Sequence, residues 1–420
     1  MSEYVTIPLG LEGVKVIHVE ETTTGEILIH VTSAVEGTKC HRCGREIRDG
    51  YGYGREIKLR HLPVFGRPTY IVFKPRRLVC KVCPDKPVTT QSMPWYDPRI
   101  PMTKAYEEHL LKSLVCSTVY DVSIKENIGY DEVEDVLDRR FGSIVDWKRF
   151  SALPILGIDE ISLKKGHRDF ATVVTASRES GEKSVLGVLE NREKATVKAF
   201  LLSIPKGLRE TVEVVCSDLY EGYTEAAKEV FGDGVMVVAD RFHVAKLYRS
   251  AVDQTRKAEM RRLKNELPEE EYERFKGAMW MVRKRPEELD DKEQATLDLL
   301  FAYSPALFSV YLLADVLTGI FNGPHTKAEA EGLIRAWMKL ARESVASGFE
   351  RFFQTLDEKM DLITNYFVSR NNSGFVEGIN HNIRVLMGRC YGLFNRAHLF
   401  QRLSLDLGGY AQFSEKSISC

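Results

Sequence analysis

The spacing of hydrophobic and polar positions changes several times along this chain. Residues 1–36 alternate apolar and polar side chains, as in Val14-Lys-Val-Ile-His-Val and Ile27-Leu-Ile-His-Val. Period-two spacing predicts a small antiparallel sheet. A basic, β-rich stretch follows, and Pro94, Pro98 and Pro101 mark a linker. From Met102 the spacing becomes helical. Thr103 is placed to cap a helix running to about Leu114. A second helix is expected over Val119–Asn127, a turn at Gly129, and a third helix over Tyr130–Phe141. That order fits a helix-turn-helix. Asp131, Glu132, Glu134 and Asp135 at the start of the third helix would face phosphates, so a three-helix bundle packing on protein stands as an equal alternative.

From Leu153 the texture is α/β. Strands are expected near 155–159, 169–176 and 184–190, then a helix near 194–204 and a strand near 213–217. A helix near 221–231 and a strand near 235–239 follow. Three strands followed by alternating helix and strand is the order of an RNase H-like domain. Residues 244–365 are helical by spacing, with breaks at Pro268, Pro286, Pro305 and Pro324, and helical spacing returns at 374–390. The expected division is a β-rich segment 1–100, a helix-turn-helix-like segment 101–150, and an α/β core 151–243. A helical insertion 244–365 and final core helices 366–420 complete it.

Composition narrows the class. The 420 residues, 44% hydrophobic and 28% charged, suit several globular domains. No apolar run approaches the ~20 residues of a membrane helix. Met-Ser-Glu-Tyr at the start lacks a secretory signal, so a cytoplasmic, membrane-free protein is expected. Net charge is −1, but its distribution is uneven. Lys39–Lys104 holds 15 Lys/Arg against 5 Asp/Glu, Gly378–Leu405 holds 4 Arg and no acid, and acid concentrates between Glu266 and Glu293. Two basic regions suit a phosphate-binding path, and equally two solvated faces.

Four of the eight cysteines form two CxxC pairs, Cys40/Cys43 and Cys80/Cys83. Thiolates at i and i+3 on tight turns can close a four-sulfur cage around one structural Zn2+, with Gly44 suited to the tight backbone after the first pair. The alternative is reduced core thiols; no thioredoxin-like βαβ pattern supports a redox pair.

The acids carry the second piece of chemistry. Asp159 ends the apolar run from Leu153, and Asp218 ends the run Val212–Ser217. If those strands are adjacent and parallel, both carboxylates emerge at one sheet edge, where open α/β sheets place ligands. Glu377 lies on the late helix with Asn380, Arg384 and Met387 at helical spacing. Converging carboxylates bind hard divalent cations, and two such ions, roughly 3.5–4 Å apart, drive phosphodiester chemistry. Taken singly, each acid reads as an ordinary strand-end or helix-surface residue. Asp240-Arg-Phe-His243 is either an accessory element of the site or a helix cap beside a core histidine. Glu160 would point to the other side of its strand from Asp159. Arg384, Arg389 and Arg396 are candidates for holding phosphates.

Several motifs resemble one family. They are the zinc knuckles, Arg60-His-Leu-Pro63-Val-Phe-Gly66-Arg67-Pro68, Gly157-Ile-Asp159-Glu160 and Ser217-Asp218 with Tyr223. Further along come Ala239-Asp240-Arg-Phe-His243-Val, Asn372-Ser-Gly374-Phe-Val-Glu377-Gly378-Ile-Asn380 and Arg389-Cys-Tyr-Gly392-Leu-Phe-Asn395. Together they resemble the DDE transposases of bacterial insertion sequences, of the ISL-three type. The resemblance implies an RNase H-like core with a helical insertion before the final glutamate. It implies Asp159, Asp218 and Glu377 as ligands of two Mg2+ or Mn2+ ions, and Cys40, Cys43, Cys80 and Cys83 as zinc ligands. The implied reaction is hydrolysis at element ends, then attack of the freed 3′-hydroxyl on target DNA. Implied partners are double-stranded DNA, as terminal inverted repeats and target, and further copies of the chain in a homodimer or larger assembly. A regulator that only binds DNA, and a nuclease without strand transfer, are the alternatives.

Overall fold

The computed structural model describes residues 8–163, 170–178, 181–284, 286–344, 348–370, 374–390, 392 and 395–413, without the side chains of Pro286, Ser369 and Glu377. It divides into two compact units, Met1–Phe141 with Gly408–Cys420, and Gly142–Leu407.

The first unit opens with β1 (Val14–Glu21), β2 (Ile27–Ser33), β3 (Thr38–Lys39), β4 (Glu46–Ile47), β5 (Gly50–Tyr53), β6 (Ile57–Val64), β7 (Arg67–Phe73), β8 (Arg76–Val79) and β9 (Val88–Thr90). The expected antiparallel pairing forms between β1 and β2, but the four-stranded sheet they join, of order β1-β2-β7-β6, is mixed, because β2 runs parallel to β7. Alternation works here as expected. Ile29 and Val31 turn inward onto Leu59, Ile71, Phe73 and Trp95, while nearly all of β1, an edge strand, stays exposed.

Three helices follow, α1 (Lys104–Leu114), α2 (Val119–Glu126) and α3 (Tyr130–Arg140). Thr103 caps α1 by accepting the Tyr106 N–H, and Asn127 ends α2 in the left-handed region. The acids opening α3 have a local explanation. The Glu132 carboxylate accepts the Gly129 N–H at 2.8 Å, the half of a capping box open to a glycine N-cap, and acid in a first turn also suits the helix dipole. Buried Glu107 of α1 takes Arg139 of α3 at 2.9 Å. The Arg60-His61 pair fastens sheet to helices. Arg60 donates to the Tyr70 hydroxyl at 3.0 Å and to the Glu126 carbonyl at 3.2 Å, its guanidinium against the Tyr70 and Tyr106 rings. His61 Nδ1 meets the Thr103 hydroxyl at 2.9 Å.

The second unit holds a five-stranded sheet from β10 (Ile155–Ser162), β11 (Phe170–Ser177), β12 (Lys183–Leu189), β13 (Val214–Ser217) and β14 (Met236–Ala239), in the order β12-β11-β10-β13-β14. The first three strands pair antiparallel, whereas β10, β13 and β14 run parallel. Helices α4 (Lys194–Ser203), α5 (Lys206–Arg209) and α6 (Glu221–Phe231) bury Val197, Leu201, Leu208, Tyr223 and Ala226 with one face of the sheet.

A long α7 (Arg241–Glu266) leads into the helical segment. It comprises α8 (Glu269–Tyr272), α9 (Ala278–Met281), α10 (Asp291–Tyr303), α11 (Pro305–Asn322), α12 (Lys327–Glu343), α13 (Glu350–Thr364) and α14 (Tyr366–Ser369). Pro305 opens α11 at its first turn, where a missing N–H costs nothing. Among the described residues α11 alone is long and apolar enough to cross a membrane, which qualifies the expectation from sequence. Its Leu307, Val310, Leu313 and Leu317 are core residues. The chain returns to the sheet through α15 (Gly374–Arg389) and α16 (Arg396–Phe413). Phe375, Val376, Ile379, Ile383 and Leu386 of α15 pack with Val173 and Val185 of the sheet.

Candidate active site

Three parallel strands each deliver an aspartate at the same level. Ile158 of β10 lies beside Ser217 of β13, and Ser217 lies beside Ala239 of β14. The next residues are Asp159, Asp218 and Asp240. β13 and β14 are short, almost wholly buried runs that end just before Asp218 and Asp240, whereas Asp159 lies within the longer β10, opposite Val173 of β11, rather than at the end of its strand as expected.

Burial sets the chemistry of this edge. Asp159 is 7% exposed, and desolvation pushes its carboxyl up to about 6, against the pull of His243 and of the Glu160 N–H, which donates to Oδ1 at 2.7 Å. Asp218 and Asp240 push it further the same way. Asp218 is likewise raised, chiefly by burial, although the Tyr220 N–H donates to its Oδ1 at 2.8 Å. Asp240 caps α7 through the Phe242 N–H at 2.7 Å, and its other oxygen meets His243 Nδ1 at 2.9 Å. That bond, with Asp159 and Asp218 nearby, raises the His243 imidazole. Asp240 thus caps the helix and also engages His243.

One donor atom from each of Asp159, Asp240 and His243 lies within 4.8 Å of the others. Two carboxylates and an imidazole, with Asp218 on the intervening strand, suit a divalent ion of oxygen-plus-nitrogen preference. The raised carboxyls agree, since buried like charges await a counter-charge.

Gly157 lets α15 approach this edge. A Cβ there would lie 2.3 Å from Val376 and 2.8 Å from Phe375. On the next turn buried Asn380 donates from Nδ2 to Asp159 Oδ2, while its own Oδ1 is buried without a partner. Glu377 is on the same helix three residues earlier, and its side chain lies outside the described residues. The expected single face of α15 divides: Asn380 turns to the sheet, Met387 is half-buried and Arg384 is exposed. Arg389 is ion-paired to Asp406 of α16, and Arg396 donates to the Glu190 carbonyl at 3.0 Å. Glu160 faces Arg192 at 3.3 Å. Thr172, whose hydroxyl meets that of buried Tyr223 at 2.8 Å, carries no signal in the sequence. A threonine inside an apolar strand is an ordinary β residue.

In the first unit Cys40, Cys43, Cys80 and Cys83 bring one sulfur each within 4.8 Å of the others. The Cys43–Cys80 and Cys80–Cys83 sulfurs are 3.8 and 3.7 Å apart. A tetrahedral zinc about 2.3 Å from each sulfur requires about 3.8 Å between them, so this donor set fits. Gly44 makes the turn after the first pair at φ +70°, and the Cys43 and Arg42 N–H groups pull the Cys40 thiol down to about 6.

Comparison with known proteins gives this geometry its context. Residues 156–403 match a transposase family, the DDE enzymes of the ISL3 type, and residues 36–83 match the zinc finger of the IS204, IS1001, IS1096 and IS1165 transposases. The transposase for insertion sequence element IS1001 of Bordetella parapertussis is 25% identical over 96% of this chain and 97% of its own length. The transposase for insertion sequence element IS1557 of Mycobacterium tuberculosis is 25% identical over 89% of this chain and 86% of its own. With the family match spanning the acid-bearing sheet, the helical segment and α15, the chain belongs to the ISL3 family of DDE transposases.

Proposed function

We propose that Asp159, Asp218 and Glu377 are the catalytic carboxylates of an RNase H-like core that cuts the ends of an insertion sequence and joins them to target DNA. The strand order, three antiparallel strands followed by two parallel ones, supports that core. The observation that carries the reading is Asp159, buried, raised to about 6 and grouped with Asp240 and His243. Asp159 and Asp218 would hold two Mg2+ or Mn2+ ions with Glu377, and Asp240 and His243 extend the donor set. When bound, such ions lower the pKa of water and neutralise charge on the oxygens of a phosphodiester.

The chain's own groups do the positioning. Asn380 fixes the Asp159 carboxylate through Oδ2, and the Glu160 N–H fixes it through Oδ1. His243, whose imidazole is raised chiefly by its bond to Asp240, lies among the acids and favours their charged forms. Among the arginines, exposed Arg384 is the one best placed for phosphate, since Arg389 is engaged by Asp406. We assign residues 1–100, with one Zn2+ on the four cysteines, to recognition of the terminal repeats, and 101–150 to the helical module beside it. Residues 151–243 and 366–420 are assigned to the core around the insertion 244–365, although the stretch from Gly408 groups with the first unit. Joining two ends calls for a homodimer or larger assembly on DNA.

The test is a cleavage and joining assay on DNA carrying the element's own ends. Wild type should nick and join with Mg2+ or Mn2+ and do neither with Ca2+. Asp159→Asn, Asp218→Asn and Glu377→Gln should each lose at least a thousandfold in rate. Wild-type activity in Asp159→Asn would refute the assignment, and nicking without joining would make the enzyme a nuclease.

A further inference from the structure

The β6–β7 hairpin ends in a turn that is costly by two separate measures. Val64 pairs with Arg67, so Phe65 and Gly66 alone make the connection. Both have positive φ, +50° and +74°. Two-residue hairpins with both central residues in this region favour Asn-Gly, Asp-Gly or Gly-Gly, because a bulky side chain there meets its own backbone. Phe65 is bulky, and the residue is 82% exposed. An aromatic in a left-handed conformation, with its apolar surface in water, serves the free fold poorly on both counts.

The hairpin is nevertheless firmly held. The Val64 N–H donates to the hydroxyl of fully buried Thr69 at 3.1 Å, and that hydroxyl donates to the Arg67 carbonyl at 3.1 Å. The register shift between His61 and Val64 leaves Leu62 and Pro63 exposed next to the tip. The result is a rigid finger with an apolar end. It projects from a stretch, Lys39–Lys104, with 15 basic and 5 acidic residues. An apolar tip on a basic body suits a polyanion whose interior is apolar, which is stacked duplex DNA.

We propose that Phe65 is a wedge that enters between neighbouring base pairs when the first unit binds DNA, unstacking and kinking the duplex at that step. The wedge rests on the assignment of this unit to recognition of the element ends. Strain and exposure at Phe65 are then relieved only in the complex, and the base step that opens most readily contributes to the choice of site.

The experiment uses the full-length protein with Ca2+ and duplexes copied from the flanks of its own coding sequence. 2-Aminopurine is placed at successive steps. Wild type should raise 2-aminopurine fluorescence at one step. Phe65→Asn should raise the melting temperature by a few degrees, because Asn-Gly suits the turn, and weaken binding tenfold or more. It should also abolish the fluorescence rise and leave the slope of log K against log salt unchanged. Phe65→Trp should keep the fluorescence rise. Equal affinity and equal fluorescence for wild type and Phe65→Asn would overturn the wedge. So would weaker binding with the base step still opened. Concentration-dependent self-association lost in Phe65→Asn, with DNA binding intact, would overturn it in favour of a protein contact. Failure of wild type to prefer these ends over random duplex would refute the end-recognition reading instead.

Discussion

Asp159 is held where an ionised carboxylate is least welcome, and its substitution should reveal this. Its folded value is about 6 against an ordinary 3.8. A carboxyl raised by folding contributes stability at low pH that is lost as pH rises from about 4 through 6. Above that range the metal-free fold carries a cost of about 2–3 kcal/mol at this residue. Asp159→Asn should therefore be more stable than wild type in urea at pH 7.5 without metal. The gain should shrink toward pH 4, and Mg2+ should stabilise wild type more than the variant. A variant no more stable at pH 7.5 would show that the site is open to water. His61 works in the opposite sense. Burial lowers its imidazole below the ordinary 6.5, so its contribution is fully present above that value and is lost as pH falls through the lowered one. Because His61 joins β6 to the cap of α1, urea stability of the first unit should fall between pH 7 and pH 5. His61→Gln should flatten that dependence, and an equal slope in both proteins would exclude His61 as its source.

At the scale of elements, the contact of α15 with β10 decides whether the last acid can reach the first two. Gly157 is the point of closest approach, with Val376 and Phe375 filling the space of its missing side chain. Gly157→Ala should push α15 outward, cost about 1–3 kcal/mol from overpacking, and reduce cleavage far more than end binding. Parallel loss of both would point to global unfolding instead. Spacing made most elements legible: α1 to α3 by helical periodicity, and β10 to β14 as largely apolar, mostly buried runs, fall within a few residues of their expected bounds. The role of Gly157 was not legible, because a glycine in an apolar strand looks like a weakness until the packed helix is seen. The Asp240–His243 element could be read as accessory to the site or as a helix cap, but its grouping with Asp159 could not be read from spacing. It depends on β14 being the next parallel strand, which no local pattern specifies. Among the acids of α3, Glu132 has a local role that its charge alone did not reveal, at the helix start.

At the scale of the molecule, the two metal requirements are assigned to separate units, and they should be separable by mutation. Besides its three cysteines, the small core beside the zinc cage contains Ile47 and Leu78 alone. Two apolar side chains cannot order two knuckles, so metal ligation has to supply the difference, as in other small zinc folds. The sheet core around Ile71 and Phe73, and the larger cores of the second unit, contain none of the four cysteines. Cys80→Ser should therefore lose its zinc and melt the knuckles while the second unit keeps its unfolding midpoint. Preference for the element's ends over random duplex should disappear. Mg2+-dependent nicking of supercoiled plasmid should persist, because Asp159, Asp218 and Asp240 are held by a sheet whose own cores contain none of the four cysteines. Asp159→Asn should show the reverse, with end preference kept and nicking lost. If Cys80→Ser lost both activities while remaining folded in the second unit, the zinc unit would be part of the catalytic apparatus rather than its guide.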